Sequence, residues 1–456
     1  MLHLKFHALE AVSRNYAPLL EGVLKDYPEL DANAVAVLLW GHIPKLGLKR
    51  QKQLFQSFSG ELLWQLFWVP PQWGAEHFGE SFKSFPTTLL KAWEEKQVYF
   101  KEHLRTVLSH YQTQGVGWMG CHDDRFPERL AQIHESPAIL FFQGNIELLQ
   151  SGHPFLSVVG TRHASDYACE QLMRILEEAV PLKPCIVSGL AMGIDAVAHQ
   201  TAINNQIPTI AVLAGGLDYV TPPCNEYLGR AILDANGLLI SEMPLGVPPI
   251  PKSFPRRNRL IVGLSPALWV VEGSLLSGTM VSARIALEES RDVGVLPMDI
   301  TRDGAAGPLK LLKEGAMPIS CGQDLADLLG IVGGEKLVST MKVLSEEKRT
   351  DLLESIQRKT SIPKVIEDKS NKDVSKKSEE TELPQENVDE SDVEDLLEDD
   401  NLLLSILRQS KAKELHVDSM ALLSGMKPHD VLGELSILEI TGRVERRSGN
   451  IFTLVL

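Results

Sequence analysis

Short, unbroken apolar runs recur through the middle of the chain: Leu156–Arg162, Cys185–Val187, Thr209–Gly216, Leu238–Met243, Ala267–Gly273 and Val293–Met298. Runs that are apolar at consecutive positions, rather than at alternate ones, suit strands covered on both faces. Stretches of helical spacing separate them. From Phe155 to about Leu329 the pattern therefore predicts βαβ units and a mostly parallel, doubly wound sheet of the Rossmann-like α/β class. The stretch Ser188-Gly-Leu-Ala-Met-Gly-Ile-Asp-Ala-Val-Ala-His199 follows one such run and opens a helix at about Asp195. A strand that ends in a glycine-bearing loop and turns into a helix aims backbone N–H groups at whatever lies above the sheet.

The flanks follow other rhythms. Residues 1–115 predict helices, with Trp, Leu and Phe at helical spacing through Leu54–Phe67 and Leu89–Leu108. Within them, Ile43-Pro-Lys-Leu-Gly-Leu-Lys-Arg50 resembles the turn of a helix-hairpin-helix, although a connection that merely packs has the same look. Phe126–Pro137 reads as a lead-in with a short helix, and Ala138–Gly144 as a strand that runs into a glycine turn. In 331–400 Lys, Ser, Glu and Asp displace the aliphatics, a composition that buries too little apolar surface to fold. Beyond it, Leu402–Leu407, Met420–Leu423 and Val431–Ile440 predict three helices. Arg443–Arg447 and Ile451–Val455 predict strands around Ser448-Gly-Asn450, so the end of the chain has the layout of a winged helix. The expected organisation is a helical N-terminal domain of helix-hairpin-helix or SAM type (1–115), an α/β core (120–330), an acidic linker (331–400) and a winged-helix-like domain (401–456).

Charge changes this picture in one respect. The net charge of −15 argues against a nucleic-acid partner until it is located. Residues 367–400 carry 15 acidic and 4 basic side chains, so −11 of the −15 belongs to the linker. Local basic clusters then matter more than the total. No apolar run is long enough to span a bilayer, no signal-peptide pattern opens the chain, and the five cysteines lack CxxC spacing. A cytoplasmic protein with no membrane partner, no metal site and no cofactor is expected.

Four strand-end segments carry candidate chemistry. Gly160-Thr161-Arg162 places a glycine, a hydroxyl and a guanidinium where a parallel sheet holds its ligands, a set suited to a phosphate oxygen. Ser188, Gly189 and Gly193, with Gly215 and Gly216 after the next run, line the neighbouring loops. Lys252, Phe254, Arg256, Arg257, Asn258 and Arg259 form the densest basic cluster of the core, read as a loop that tracks a sugar–phosphate backbone with Phe254 available for stacking. Ser277, Gly278 and Thr279 offer N–H and O–H donors to an anion.

Asp195 and His199 stand i, i+4 on one helix, yet no nucleophile or third ligand accompanies them. They read as an acid favoured by the helix dipole and a packed imidazole. P-loop, dinucleotide G-x-G-x-x-G, G-x-S-x-G and H-E-x-x-H motifs are missing.

Gly160-Thr-Arg, Ser188–His199, Ala214-Gly-Gly-Leu-Asp, Ser241-Glu-Met-Pro-Leu-Gly, Phe254-Pro-Arg-Arg-Asn-Arg and Ser277-Gly-Thr, in this order and spacing, resemble the bacterial DNA-processing protein A family (DprA, also called Smf). The lead-in Phe126-Pro…Pro137…Gly144 and the three-part layout match as well. The resemblance implies an extended Rossmann-like core that binds single-stranded DNA, dimerises, and loads the RecA recombinase in natural transformation. It implies a DNA contact at Arg162, with Arg256, Arg257 and Arg259 in the same pocket, and no catalysis. Two stretches depart from the family: Thr221-Pro-Pro-Cys-Asn225 lacks its Tyr and Lys, and Leu309 stands where it has Asn.

A reading from another class is a Rossmann-type nucleotide-processing enzyme like the phosphoribohydrolases. Their Pro-Gly-Gly-x-Gly-Thr loop discriminates, and here the comparable place reads Leu276-Ser-Gly-Thr279.

Overall fold

The computed structural model describes residues 2–44, 46–58, 60–71 and 85–331, and in the C-terminal part 403, 407, 414–417, 419, 420, 431, 435, 444–447 and 451–454. The chain divides into two compact units, Met1–Ile362 and Pro363–Leu456.

The first unit opens with helices α1 (Leu2–Asp26), α2 (Ala32–Gly41), α3 (Leu48–Ser57), α4 (Gly60–Trp68) and α5 (Thr87–Thr113). Asp31 caps α2 by accepting from the N–H of Ala34 at 2.7 Å. Val35 to Trp40 of α2 are all buried, as befits a helix that is apolar all round. Two of the indoles that this packing buries still donate, Trp40 Nε1 to Leu63 O and Trp93 Nε1 to Phe67 O.

A short helix, α6 (Glu128–Ala131), and a nine-stranded sheet follow, the sheet in the order β1-β2-β6-β5-β4-β3-β7-β8-β9. Its strands are β1 (Val116–Gly120), β2 (Ile139–Gly144), β3 (Phe155–Val159), β4 (Cys185–Ser188), β5 (Thr209–Leu213), β6 (Leu238–Ser241), β7 (Ala267–Val270), β8 (Asp292–Val295) and β9 (Met317–Pro318). Strands β3 to β9 pair in parallel, while β2 runs antiparallel to both β1 and β6. The expected apolar runs are these strands. All but Cys185–Val187, which stops one residue short of the end of β4, end later than their strands, because the last residues turn into the loop above the sheet. Strand β1 escaped the sequence pattern, since Gly117 and Gly120 weaken the strand signal of Val-Gly-Trp-Met-Gly.

Period-two alternation sorts the side chains. Leu156 and Val158 of β3 and Ala267 and Trp269 of β7 face helices α7 (Asp166–Glu178) and α8 (Ile194–Asn204). Phe155 and Val159, with Leu268 and Val270, face α10 (Ser253–Leu264) and α11 (Gly278–Glu288) on the other side. Beside α8, α9 (Glu226–Asp234) packs on β5 and β6. The N-terminal helices extend the cover over the β1–β2–β6 end. Trp40, Phe100, Leu104 and Tyr111 share one apolar cluster with Ile139, Phe141, Leu213, Leu228 and Leu239.

In the second unit β10 (Glu414–His416), β12 (Ile451–Leu454) and β11 (Val444–Arg447) form an antiparallel sheet, with Val444 opposite Leu454. Leu403, Leu407, Met420, Val431, Leu435 and Phe452 form its core. The expected hairpin is present. The expected linker from 332 onward, and most residues of the expected helices, lie outside the described residues. Among the described residues no helix is long and apolar enough to cross a membrane.

Candidate nucleic-acid interface

The strand order reverses between β3 and β7: from β3 the chain moves to β4, β5 and β6 on one side, and from β7 to β8 and β9 on the other. Crevices at such switch points, beyond the carboxyl ends of the strands, are where open α/β sheets hold ligands. The loop at this one is Gly160-Thr161-Arg162. A side chain at Gly160 would overlap Ile194 of α8, and one at Gly193, which has φ 72°, would meet the carbonyl oxygens of Thr161 and Arg162. Two glycines thus let the helix start approach the loop directly. The peptide between them is bonded on both sides, Thr161 N to Glu272 O at 2.8 Å and Ile194 N to Thr161 O at 3.2 Å. Glu272 is buried after β7, and its Oε2 also accepts from Ser165 N at 2.8 Å. It therefore fixes both ends of the Arg162 loop, a role that its sequence neighbourhood did not signal.

Arg162 is exposed, and among the described residues it forms no ion pair. Its guanidinium carbon sits 5.7 Å from the ring centroid of half-buried Phe254, within cation–π range. The structure thus brings together the two sequence motifs that contribute these residues.

The basic cluster itself is a helix rather than a loop: α10 begins at Ser253, with Lys252 exposed at its N-cap. Pro255 falls in the first turn, where a missing N–H costs nothing. Helical phase then sends the charges in different directions. Arg256 is exposed and donates to Glu242 Oε1 at 3.0 Å. Arg259 is buried and pairs with Glu242 Oε2 at 2.5 Å. Arg257 is buried as well. Its Nη1 donates to the carbonyl oxygens of Gly189, at 2.7 Å, and Val212, and its Nε donates to Asn258 Oδ1 at 3.3 Å. A Cβ at Gly189 would come 2.6 Å from Arg257 Nη2, so Gly189 makes room for that guanidinium.

Beneath Arg257 lies a buried polar group. Asp195 Oδ2 accepts from the N–H groups of Gly189 at 3.1 Å and Ala191 at 3.4 Å. Burial pushes its carboxyl up, and the Arg257 charge and these donors pull it down. Burial also lowers Arg257 to about 10, which leaves it protonated at neutral pH. His199 is fully buried and held at about 3, chiefly by burial. Its Nδ1 lies 2.7 Å from Thr209 Oγ1, whose own proton goes to Ile186 O, so Nδ1 carries the imidazole proton. Asp195 and His199 are interior groups, as their pattern suggested.

The remaining candidates shape the rim. Ser188 Oγ donates to Val158 O at 2.7 Å and Ser241 Oγ to Gly215 O at 2.6 Å, tying neighbouring strand ends together. Gly216 N donates to Val247 O at 2.8 Å, which closes the β5 loop against the loop after β6. Ser277 precedes α11, with Gly278 exposed and Thr279 buried against Gly273. Among the groups that face outward near the switch point are Arg162, Lys252, Arg256 and the ring of Phe254, beside the exposed Leu275 and Leu276 of the loop after β7.

Comparison with known proteins decides the family. Residues 118–330 match the family described as DNA recombination-mediator protein A. The DNA processing protein DprA of Bacillus subtilis is 35% identical over 236 residues, which are 52% of this chain and 78% of that protein. The chain belongs to the DNA processing protein A family. DprA of Streptococcus pneumoniae is 36% identical over 203 residues, 44% of this chain and 71% of that protein. Protein Smf of Escherichia coli is 40% identical over 205 residues, a match that spans 45% of this chain and 54% of that protein. Among solved structures, the crystal structure of the Streptococcus pneumoniae family member superposes with a TM-score of 0.52 at 29% identity, covering 64% of this chain and 97% of that one. The family's extended Rossmann-like core is thus the sheet described above.

Proposed function

We propose that this protein binds single-stranded DNA along the strand-end rim of its sheet and, as a homodimer, delivers that strand to the RecA recombinase. It acts as a mediator rather than as an enzyme. The observation that carries the reading is Arg162: an exposed guanidinium at the topological switch point, held over the face of Phe254. A phosphate takes the guanidinium and a base takes the ring, which is the pairing that sequence-tolerant single-strand binders use. Lys252 and Arg256 add exposed positive charge on the same helix start.

The reading as a nucleotide-processing enzyme has less support, because the acid and base that the helix pattern paired, Asp195 and His199, are buried and held in internal hydrogen bonds. Dimerisation and RecA loading rest on family membership, and light scattering and a RecA-filament assay test them.

Binding of oligo-dT over a series of salt concentrations tests the rim. Each phosphate neutralised on a single strand adds roughly 0.7 to the slope of log K against log salt. Arg162→Ala is expected to remove about one such contact, to weaken all sequences alike, and to leave thermal stability unchanged. Wild-type affinity and slope in Arg162→Ala would place the site elsewhere.

A further inference from the structure

The start of α3 lies beside the basic helix of the core. A groove of about 770 Å³ is lined by Gly47, Lys49, Arg50 and Gln53 on one side and by Arg256 and Glu135 on the other. Three cations from two distant parts of the chain converge on it; the one carboxylate in the lining, Glu135, lies 3.8 Å from the Arg259 guanidinium, and Arg256 is also paired with Glu242 behind it. Lys49 is exposed. Arg50 is partly held, its guanidinium carbon 5.6 Å from the centroid of the Phe85 ring. Gly47, at φ 75°, begins α3 and brings no side chain to cap it.

We propose that this groove is a second site for the DNA backbone, holding the phosphates of a single strand as it leaves the strand-end rim. The inference rests on the proposed rim and names where the strand goes next. Arg256 belongs to both places: it stands two residues after Phe254 on α10, and it lines the groove. A strand stacked on Phe254 therefore passes Arg256 before it meets Lys49 and Arg50. Leu46 and Leu48 also line the groove, but its net positive charge, the Gln53 amide and its open trough suit a phosphodiester chain better than an apolar ligand. A contact made to phosphates extends affinity rather than sequence preference.

The test uses the full-length protein with two oligo-dT probes of about 6 and about 20 nucleotides, which bracket site sizes usual for single-strand grooves. Lys49→Glu reverses an exposed charge in the groove, Arg162→Ala removes the rim contact, and Lys313→Glu, exposed at the end of a distant helix, controls for net charge. Lys49→Glu is expected to weaken the long probe severalfold and to lower its salt slope by at least roughly 0.7, with the short probe unchanged. Arg162→Ala is expected to weaken both probes, and Lys313→Glu neither. If Lys49→Glu binds the long probe like the wild type, or no more weakly than Lys313→Glu does, the groove is overturned and the rim stands. If Lys49→Glu weakens both probes equally, the groove is not a separate site and the proposal fails. If Arg162→Ala is silent while Lys49→Glu weakens the long probe, the groove stands and the rim reading fails.

Discussion

Arg257 reaches across the sheet edge and donates to the carbonyl oxygen of Gly189 at 2.7 Å, 68 residues earlier in the chain. The same nitrogen serves Val212 O, so one guanidinium closes the ends of β4 and β5 together. Its charge is spent inside the protein. Arg257→Ala leaves two buried carbonyls without a donor and Asp195 without its neighbouring cation. Losing one partner of such an arrangement costs roughly 3–5 kcal/mol. Urea denaturation is expected to show that loss. A variant as stable as the wild type that binds DNA poorly would instead make Arg257 a direct phosphate ligand.

Phe254 behaves differently, being half-exposed at the rim. Phe254→Ala is expected to lower single-strand affinity by about 1–3 kcal/mol with little change in salt slope, because stacking carries no net charge. Phe254→Trp retains a flat ring and is expected to bind near wild type. A fall in slope as large as that of Arg162→Ala would mean that the ring only positions the guanidinium.

Acid sensitivity follows from His199. Its folded value of about 3 lies below the ordinary 6.5, so between these limits the unfolded chain takes up a proton that the folded chain refuses. Stability from this group is complete above pH 6.5 and is lost as pH falls toward 3, by up to about 1.4 kcal/mol per pH unit. Half-buried His42, lowered to about 4 chiefly by desolvation, acts in the same direction. Asp195, raised by burial, acts in the opposite one. Urea midpoints between pH 4 and 7 are expected to change less steeply in His199→Gln. An unaltered profile would mean that His199 does not stay neutral in the fold.

The N-terminal helices and the sheet share one apolar cluster, and Tyr111 Oη accepts from Leu245 N at 3.0 Å. A chain beginning at residue 116 would expose Ile139, Phe141, Leu213 and Leu228. It is expected to aggregate or to melt well below the full-length protein. A monodisperse fragment with an undiminished melting temperature would show that the core closes without those helices.

The contrast between Arg256 and Arg257 shows what the sequence conveyed and what it withheld. Apolar runs reveal strands because burial on both faces leaves few other residues possible, and the switch-point loops stand out because Gly160 and Gly193 have no substitute at such close approach. Charge alone carries no direction. As a loop, 252–259 gives its arginines no phase, and all of them look available. As α10 the same residues turn through about 100° each, so Arg256 faces water while Arg257 and Arg259 face the interior. Their partners were equally hidden. Glu242 is 17 residues from Arg259, and Glu272 is 107 from Ser165, separations that no local pattern reports. Strand β1 went unseen because its two glycines outweigh its apolar residues until β2 pairs with it.

The reversal of β2 has a geometric consequence. Running antiparallel to β6, it sends its carboxyl end to the far edge of the sheet, so the row of strand-end loops stops at β6. That row belongs to the seven parallel strands, whose spacing of about 4.8 Å gives it a width of roughly 30 Å. The sheet is in this sense a ruler of fixed length. A DNA strand held along it as proposed would be engaged over one segment only, however long the molecule is.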